Sequence, residues 1–164
     1  MGYEFGRATT AAEIEAVQRL RYSVYVEEMK RYDDVDGAED GRFAESEDEH
    51  SWICYARDGV QVVAATRMTW GGDGFSDRQV DQFQLAPFLA ELPADVLGVG
   101  ERNTVLPSHR GSGVLDQLLD QERTILHQAK HQAFLRTRNC TNTLAESGPL
   151  AGGGILAYGF AHDV

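Results

Sequence analysis

One stretch constrains this chain more than any other: Val105-Leu106-Pro107-Ser108-His109-Arg110-Gly111-Ser112-Gly113-Val114-Leu115. An apolar run stops at Pro107, a basic turn with two glycines follows, and an apolar pattern of helical period begins directly after it. That order predicts a strand, a short turn and a helix N-terminus in succession. The glycines admit backbone conformations closed to other residues and let an anion approach the main chain. The amides of Gly111 to Leu115 lie where no preceding carbonyl serves them. The helix dipole adds about 0.3–1 kcal/mol for a full negative charge at an exposed end, and Arg110 can add a charge-assisted bond. The sum is a seat for a phosphate. A plain strand–turn–helix joint with a surface arginine is the alternative reading of the same residues.

Strand and helix signals succeed one another along the rest of the chain. Tyr3-Glu4-Phe5 alternates and predicts a short first strand. Thr10-Ala11-Ala12-Glu13 is a capping box, and Ile14, Val17, Leu20/Arg21 and Val24 carry a helix to about Met29. An acidic, glycine-containing segment to about Ser46 predicts a loop or a loose second helix. Trp52 to Tyr55 and Val60 to Trp70 predict two strands joined by a tight turn at Asp58-Gly59, and Gly71 to Gly74 end the second. A short helix is expected from Phe83 to Leu92, with Pro87 in its first turn. Val96 to Val105 predicts a strand whose Gly98 and Gly100 suggest a bulge. Leu115, Leu118/Leu119, Glu122, Ile125/Leu126 and Ala129 predict a long helix from about Gly113 to His131. Phe134 to Arg138 and Ile155 to Phe160 predict the last strands. The expected fold class is α/β (α+β), with a mixed central sheet of about six or seven strands flanked by helices.

The chain has 164 residues, a length suited to one domain over residues 1–164. No apolar run reaches the ~18 residues of a membrane span, and Met1-Gly2-Tyr3-Glu4-Phe5 does not read as a signal peptide. Cys54 and Cys140 stand far apart without metal spacing, which suits two buried free thiols in a reducing cytoplasm. The formal net charge of −11 argues against a nucleic-acid or anionic-membrane partner. Much of that charge lies between Glu27 and His50, either as a solvated, mobile loop or as an acidic rim attracting a cationic amine. His127 and His131 lie four apart on the predicted long helix, but no third ligand accompanies them, so no metal is expected.

The 105–114 segment, with Leu118-Leu119, resembles the acyl-CoA-binding motif of the GCN5-related N-acetyltransferase (GNAT) superfamily, usually Arg/Gln-x-x-Gly-x-Gly/Ala. Arg110 and Gly113 match, while Leu115 stands where Gly or Ala is usual. The order of elements over most of residues 1–140 is similar as well. The resemblance implies a GNAT fold, acetyl-CoA or a longer acyl-CoA as co-substrate, and acyl transfer to the amine of a small molecule or peptide by direct attack. It places the diphosphate on Arg110 and the amides of Gly111, Ser112, Gly113, Val114 and Leu115. The pantetheine arm would lie along Asn103, Thr104, Val105 and Leu106, with the amide of Val105 or Leu106 near the thioester oxygen. Asn142, in Asn139-Cys140-Thr141-Asn142, resembles a segment whose amide touches the donor.

Three further stretches resemble a subgroup, the acyl-homoserine-lactone synthases and long-chain N-acyl amino acid synthases: Leu20 to Glu28, Val62 to Met68, and Arg102-Asn103-Thr104-Val105. The subgroup's usual glutamate three residues before that arginine is replaced here by Val99. This resemblance implies, as an alternative, a donor carried by acyl carrier protein or sometimes by CoA; the acidic carrier needs a basic patch, which Arg110, Arg123, Lys130, Arg136 and Arg138 could supply. A non-catalytic acyl-CoA-binding sensor is a third reading. Glu101 is the candidate base, with a structural ion pair to Arg102 or Arg67 as its alternative role. Tyr158, in Tyr158-Gly159-Phe160, is the candidate acid for the departing thiolate, or a core aromatic. Cys140 has no evident basic partner and is not expected to be a nucleophile. A homodimer is left open.

Overall fold

The computed structural model describes residues 2–128, 134–135 and 156–157. The architecture is α+β, with strands β1 (Glu4–Arg7), β2 (Trp52–Asp58), β3 (Gln61–Trp70) and β4 (Gly98–Val105), and two-residue strands β5 (Phe134–Leu135) and β6 (Leu156–Ala157). The helices are α1 (Ala11–Arg21), α2 (Asp77–Gln82), α3 (Ala86–Glu91) and α4 (Val114–Gln128). The sheet order is β1-β2-β3-β4-β5-β6. Only the first four strands exceed two residues among the described residues, so the expected six or seven reduce to four substantial ones. The chain gathers into two compact units: Met1–Arg67 with Arg102–Arg123, and Met68–Glu101 with Thr124–Val164.

In the first unit, the Thr10 hydroxyl accepts the Glu13 N–H at 3.3 Å, and the Glu13 carboxylate accepts the amides of Thr10 and Thr9 at 3.0 and 2.9 Å. The cap launches α1, whose buried Val17 and Leu20, with Val24 just past its end, pack with Ile53, Tyr55 and Ala65, as the periodicity predicts. Past Arg21 the helix loosens into a π-helical segment, Tyr22–Glu28. The Met29 amide there bonds the Val24 carbonyl five residues back, so the helix reaches its predicted end with altered geometry. β1 pairs antiparallel with β2, and Gly6 opposes Tyr55. A Cβ on Gly6 would stand 2.9 Å from the Tyr55 hydroxyl. Gly59, at φ +60°, makes the tight turn between β2 and β3. β3 is buried continuously from Val63 to Thr69, the pattern of a strand covered on both faces.

In the second unit, Phe83, Leu85 and Val99 form a core with Phe75, Val80, Phe88 and Leu89 packed against it. The helix predicted over 83–92 is α3, and α2 precedes it outside that range. Gln84, at φ +51°, breaks the chain between them, and Pro87 does lie in the first turn of α3. Ser76 and Gln79 form the capping box of α2. A Cβ on Gly71 would fall 2.1 Å from the Ala94 carbonyl oxygen, so only glycine fits there. β4 pairs in parallel with β5 at Val99 and Leu135, and β5 in parallel with β6. Neither Gly98 nor Gly100 has a positive φ. The irregularity of β4 is Arg102, at φ +57°.

Candidate functional site

The turn before α4 takes the conformation its sequence demands. Pro107–His109 form one 3₁₀ turn, and Gly111 and Gly113 both adopt φ +77°. Space around them is open. A Cβ on Gly111 would meet nothing within 4 Å, and one on Gly113 only the Gln117 amide nitrogen at 3.8 Å. Glycine is therefore required here by backbone angle rather than by crowding. The first helical bond runs from Gln117 N–H to the Gly113 carbonyl at 3.1 Å, and ahead of it the Ser112 amide donates to the His109 carbonyl at 3.4 Å. Ser112 braces the turn: its hydroxyl donates to the His109 carbonyl at 2.6 Å and accepts the Val114 amide at 3.3 Å. Val114 takes the buried position, and Leu115 is only partly covered. His109 lies beside Ser108 at 2.9 Å, Asp58 at 3.5 Å and the ring of Tyr3. Arg110 gives both terminal nitrogens to Glu28, at 2.7 and 2.6 Å. This contact raises the guanidinium's affinity for its proton and lowers the Glu28 carboxyl below its ordinary value.

Strand residues 103–106 are more heavily engaged than the sequence suggests. The Leu106 amide donates to the Val63 carbonyl at 2.9 Å, so it is already spent within the sheet. Strand alternation turns the Val105 amide to the opposite edge. The Asn103 carbonyl accepts from the Tyr25 hydroxyl at 3.1 Å, and its side-chain oxygen accepts from Thr66 at 2.7 Å. Among the described residues the buried Asn103 Nδ2 has no hydrogen-bond partner. The Thr104 hydroxyl donates to the Arg102 carbonyl at 3.0 Å.

Behind this strand lies an ionic cluster. Arg21 and Arg67 are fully buried. Arg21 Nη1 meets the two Asp48 oxygens at 2.7 and 3.0 Å. Arg67 Nη1 meets Asp48 at 2.9 Å and Glu45 at 3.0 Å, and Arg67 Nη2 reaches Glu47 at 4.0 Å. Arg102 pairs with Glu45 through Nε at 2.7 Å and also through Nη2, while its Nη1 donates to the Tyr32 hydroxyl at 2.9 Å. Its guanidinium carbon stands 5.3–5.9 Å from the rings of Tyr25, Tyr32 and Phe43. Burial opposes ionisation of Asp48, but Arg21 and Arg67 outweigh it and hold the carboxyl below its ordinary value. Burial likewise works against the Arg21 charge, and prevails over Asp48 to lower its affinity for a proton.

The acidic segment is therefore divided. Asp33, Asp34, Asp36, Glu39 and Glu49 are solvated, as a surface loop would be. Glu45, Glu47 and Asp48 turn inward onto arginines, so they form no acidic rim for a cationic amine. The signal for this was Arg21, a basic residue on the apolar stripe of α1. Glu28 was not foreseen as the partner of Arg110, because 82 residues separate them.

Glu101, in the second unit, is buried. It accepts from Gln79 Nε2 at 2.6 Å and from Arg78 Nη2 at 3.0 and 3.1 Å. Gln79 also donates to the Thr69 hydroxyl at 2.7 Å. Arg78 thus pairs with Glu101. Cys54 is buried, and its thiol is pushed up to about 12 by burial and by Glu122, which makes it inert. No cluster of three or more potential metal ligands occurs among the described residues. No helix among them is long and apolar enough to cross a membrane. Tyr158, Asn142, Cys140 and His131 lie outside the described residues.

A family model described as an acetyltransferase (GNAT) domain matches residues 20–120, more than half of the chain. The chain belongs to the GNAT family. In fold, this GNAT chain is similar to the CoA-dependent acyl-homoserine lactone synthase BjaI with SAM and isopentyl-CoA, at 20 % identity and a TM-score of 0.62. That likeness covers 80 % of this chain and 64 % of the synthase, so the chain spans less than two thirds of its relative's length. MesI, another CoA-dependent acyl-homoserine lactone synthase, is similar at 18 % identity and a TM-score of 0.61, over 79 % of this chain and 67 % of that one. An N-acetyltransferase structure from Lactobacillus plantarum is similar at 17 % identity and a TM-score of 0.55, over 80 % and 72 %. At such identities the likeness establishes the fold of the GNAT chain. No curated protein matches its sequence.

Proposed function

We propose that this GNAT chain transfers an acyl group, acetyl in the first instance, from acyl-CoA to the amine of a small molecule or peptide. The open helix mouth at 111–115, two positive-φ glycines wide and flanked by Arg110, supports the reading most directly. Its Gly111, Gly113 and Leu115 amides and Arg110 would hold the diphosphate. The 103–106 segment would bind the arm through the Val105 peptide, since the Leu106 amide is taken. In the reaction the amine nitrogen attacks the thioester carbonyl, the carbon–sulfur bond breaks, and the thiolate leaves with a proton. Glu101 remains the candidate base, its carboxylate held by Gln79 and Arg78. Tyr158 remains the candidate acid.

A second reading gains weight from one observation. Arg21, Arg67 and Arg102 come from the three stretches that resemble the lactone and N-acyl amino acid synthases, and they meet on Glu45 and Asp48. This favours a longer acyl donor, carried by CoA or by acyl carrier protein. Thiol release with acetyl, octanoyl and palmitoyl thioesters of both carriers, against a panel of amines, separates the readings. Acetyl-CoA turnover supports the first, and turnover confined to longer chains supports the second. Donor binding without thiol release from any amine would leave a sensor.

A further inference from the structure

We infer that Glu28 is a built-in competitor for the phosphate seat, setting how tightly this chain holds a phosphorylated thioester donor. The inference rests on the reading that Arg110 and the helix-mouth amides receive the diphosphate.

Three observations carry it. Both terminal nitrogens of Arg110 are taken by both carboxylate oxygens of Glu28, at 2.7 and 2.6 Å. This is the fork-on-fork geometry with which a guanidinium takes two oxygens of a phosphate, so carboxylate and phosphate contend for the same donors. The pair is also displaceable, because its side chains are 46 % and 36 % exposed, a setting in which ion pairs are weak. Finally, Glu28 is delivered from elsewhere in the chain. It is the last residue of the π-helical segment, followed by Met29, whose amide bonds Val24, and by Lys30 at φ +54°. A donor that takes Arg110 must displace Glu28 and then tolerate a nearby carboxylate. A donor without phosphate avoids both costs. Glu28 thus acts through Arg110 as a positioning and specificity residue, with no contact to the reacting atoms required.

Calorimetry on the full chain tests this with acetyl-CoA and with acetyl-pantetheine, which lacks the diphosphate. Glu28→Gln and Glu28→Ala should tighten acetyl-CoA binding three- to tenfold and leave acetyl-pantetheine within twofold. In an Arg110→Gln background the gain should vanish. Thermal melts of all variants check folding, which half-exposed positions should not disturb. Wild-type binding of acetyl-CoA with no gain in either Glu28 variant overturns the competitor while leaving the seat. A gain that persists without Arg110 overturns it too, by reducing Glu28 to a diffuse repulsive charge. No acetyl-CoA binding in the wild type or in either variant overturns the seat itself, and the competitor with it.

Discussion

Asp48 answers two buried guanidiniums at once, and this makes it the residue whose loss should cost most. Removing one partner of a buried ion pair strands the other, at about 3–5 kcal/mol. Asp48→Ala should therefore lower the urea midpoint severely. Double replacement of Arg21 and Asp48 by apolar residues should recover part of the loss. The same carboxylate makes the fold acid-sensitive. Its folded value lies below the ordinary 3.8, so its contribution is complete above about pH 4 and drains away as pH falls through the folded value. Denaturant titrations between pH 2 and 5 should show that slope in the wild type and lose it in Asp48→Asn. At the seat, Arg110→Ala should weaken acetyl-CoA binding about tenfold, or roughly 1.4 kcal/mol, and leave acetyl-pantetheine untouched.

At the level of elements, the caps and turns were legible because their chemistry is local. The Thr10–Glu13 box, the Gly59 turn and the Gly111/Gly113 turn each need particular residues at fixed offsets, and each forms where those residues stand. The box of α2 was equally local, Ser76 with Gln79, but its helix holds only six residues, too few for a periodic pattern. The positive φ of β4 falls on Arg102 rather than on a glycine, the usual bearer of unusual backbone. Here Arg102 takes positive φ while Glu45 and Tyr32 hold its side chain, an energy no sequence window contains. The inward turn of Glu45, Glu47 and Asp48 is non-local in the same sense, since their partners come from α1, β3 and β4. Three measurements probe these elements. Thr10→Ala should cost about 1 kcal/mol in chemical denaturation. Glu13 should add a dependence retained above pH 4.5 and lost as pH falls towards about 2, the value to which the Thr9 and Thr10 amides draw it. Gly113→Ala should force an L-residue to φ +77°, at about 1–2 kcal/mol, and weaken acetyl-CoA binding at the same time.

On the scale of the molecule, the three arginines and three carboxylates of the ionic cluster cancel, so the net −11 belongs to the remaining residues. A polyanionic donor would then approach uphill, through a field of its own sign, before finding the few donors that welcome it. Added salt would flatten that field over a Debye length of about 8–10 Å. Stopped-flow association of acetyl-CoA should accordingly quicken from low to moderate ionic strength, while dissociation quickens as the final contacts are screened. An encounter that slows as salt is added would place an attractive basic approach on this acidic body. By balancing its charges inside, the fold leaves the outside to repel the polyanion proposed for its turn.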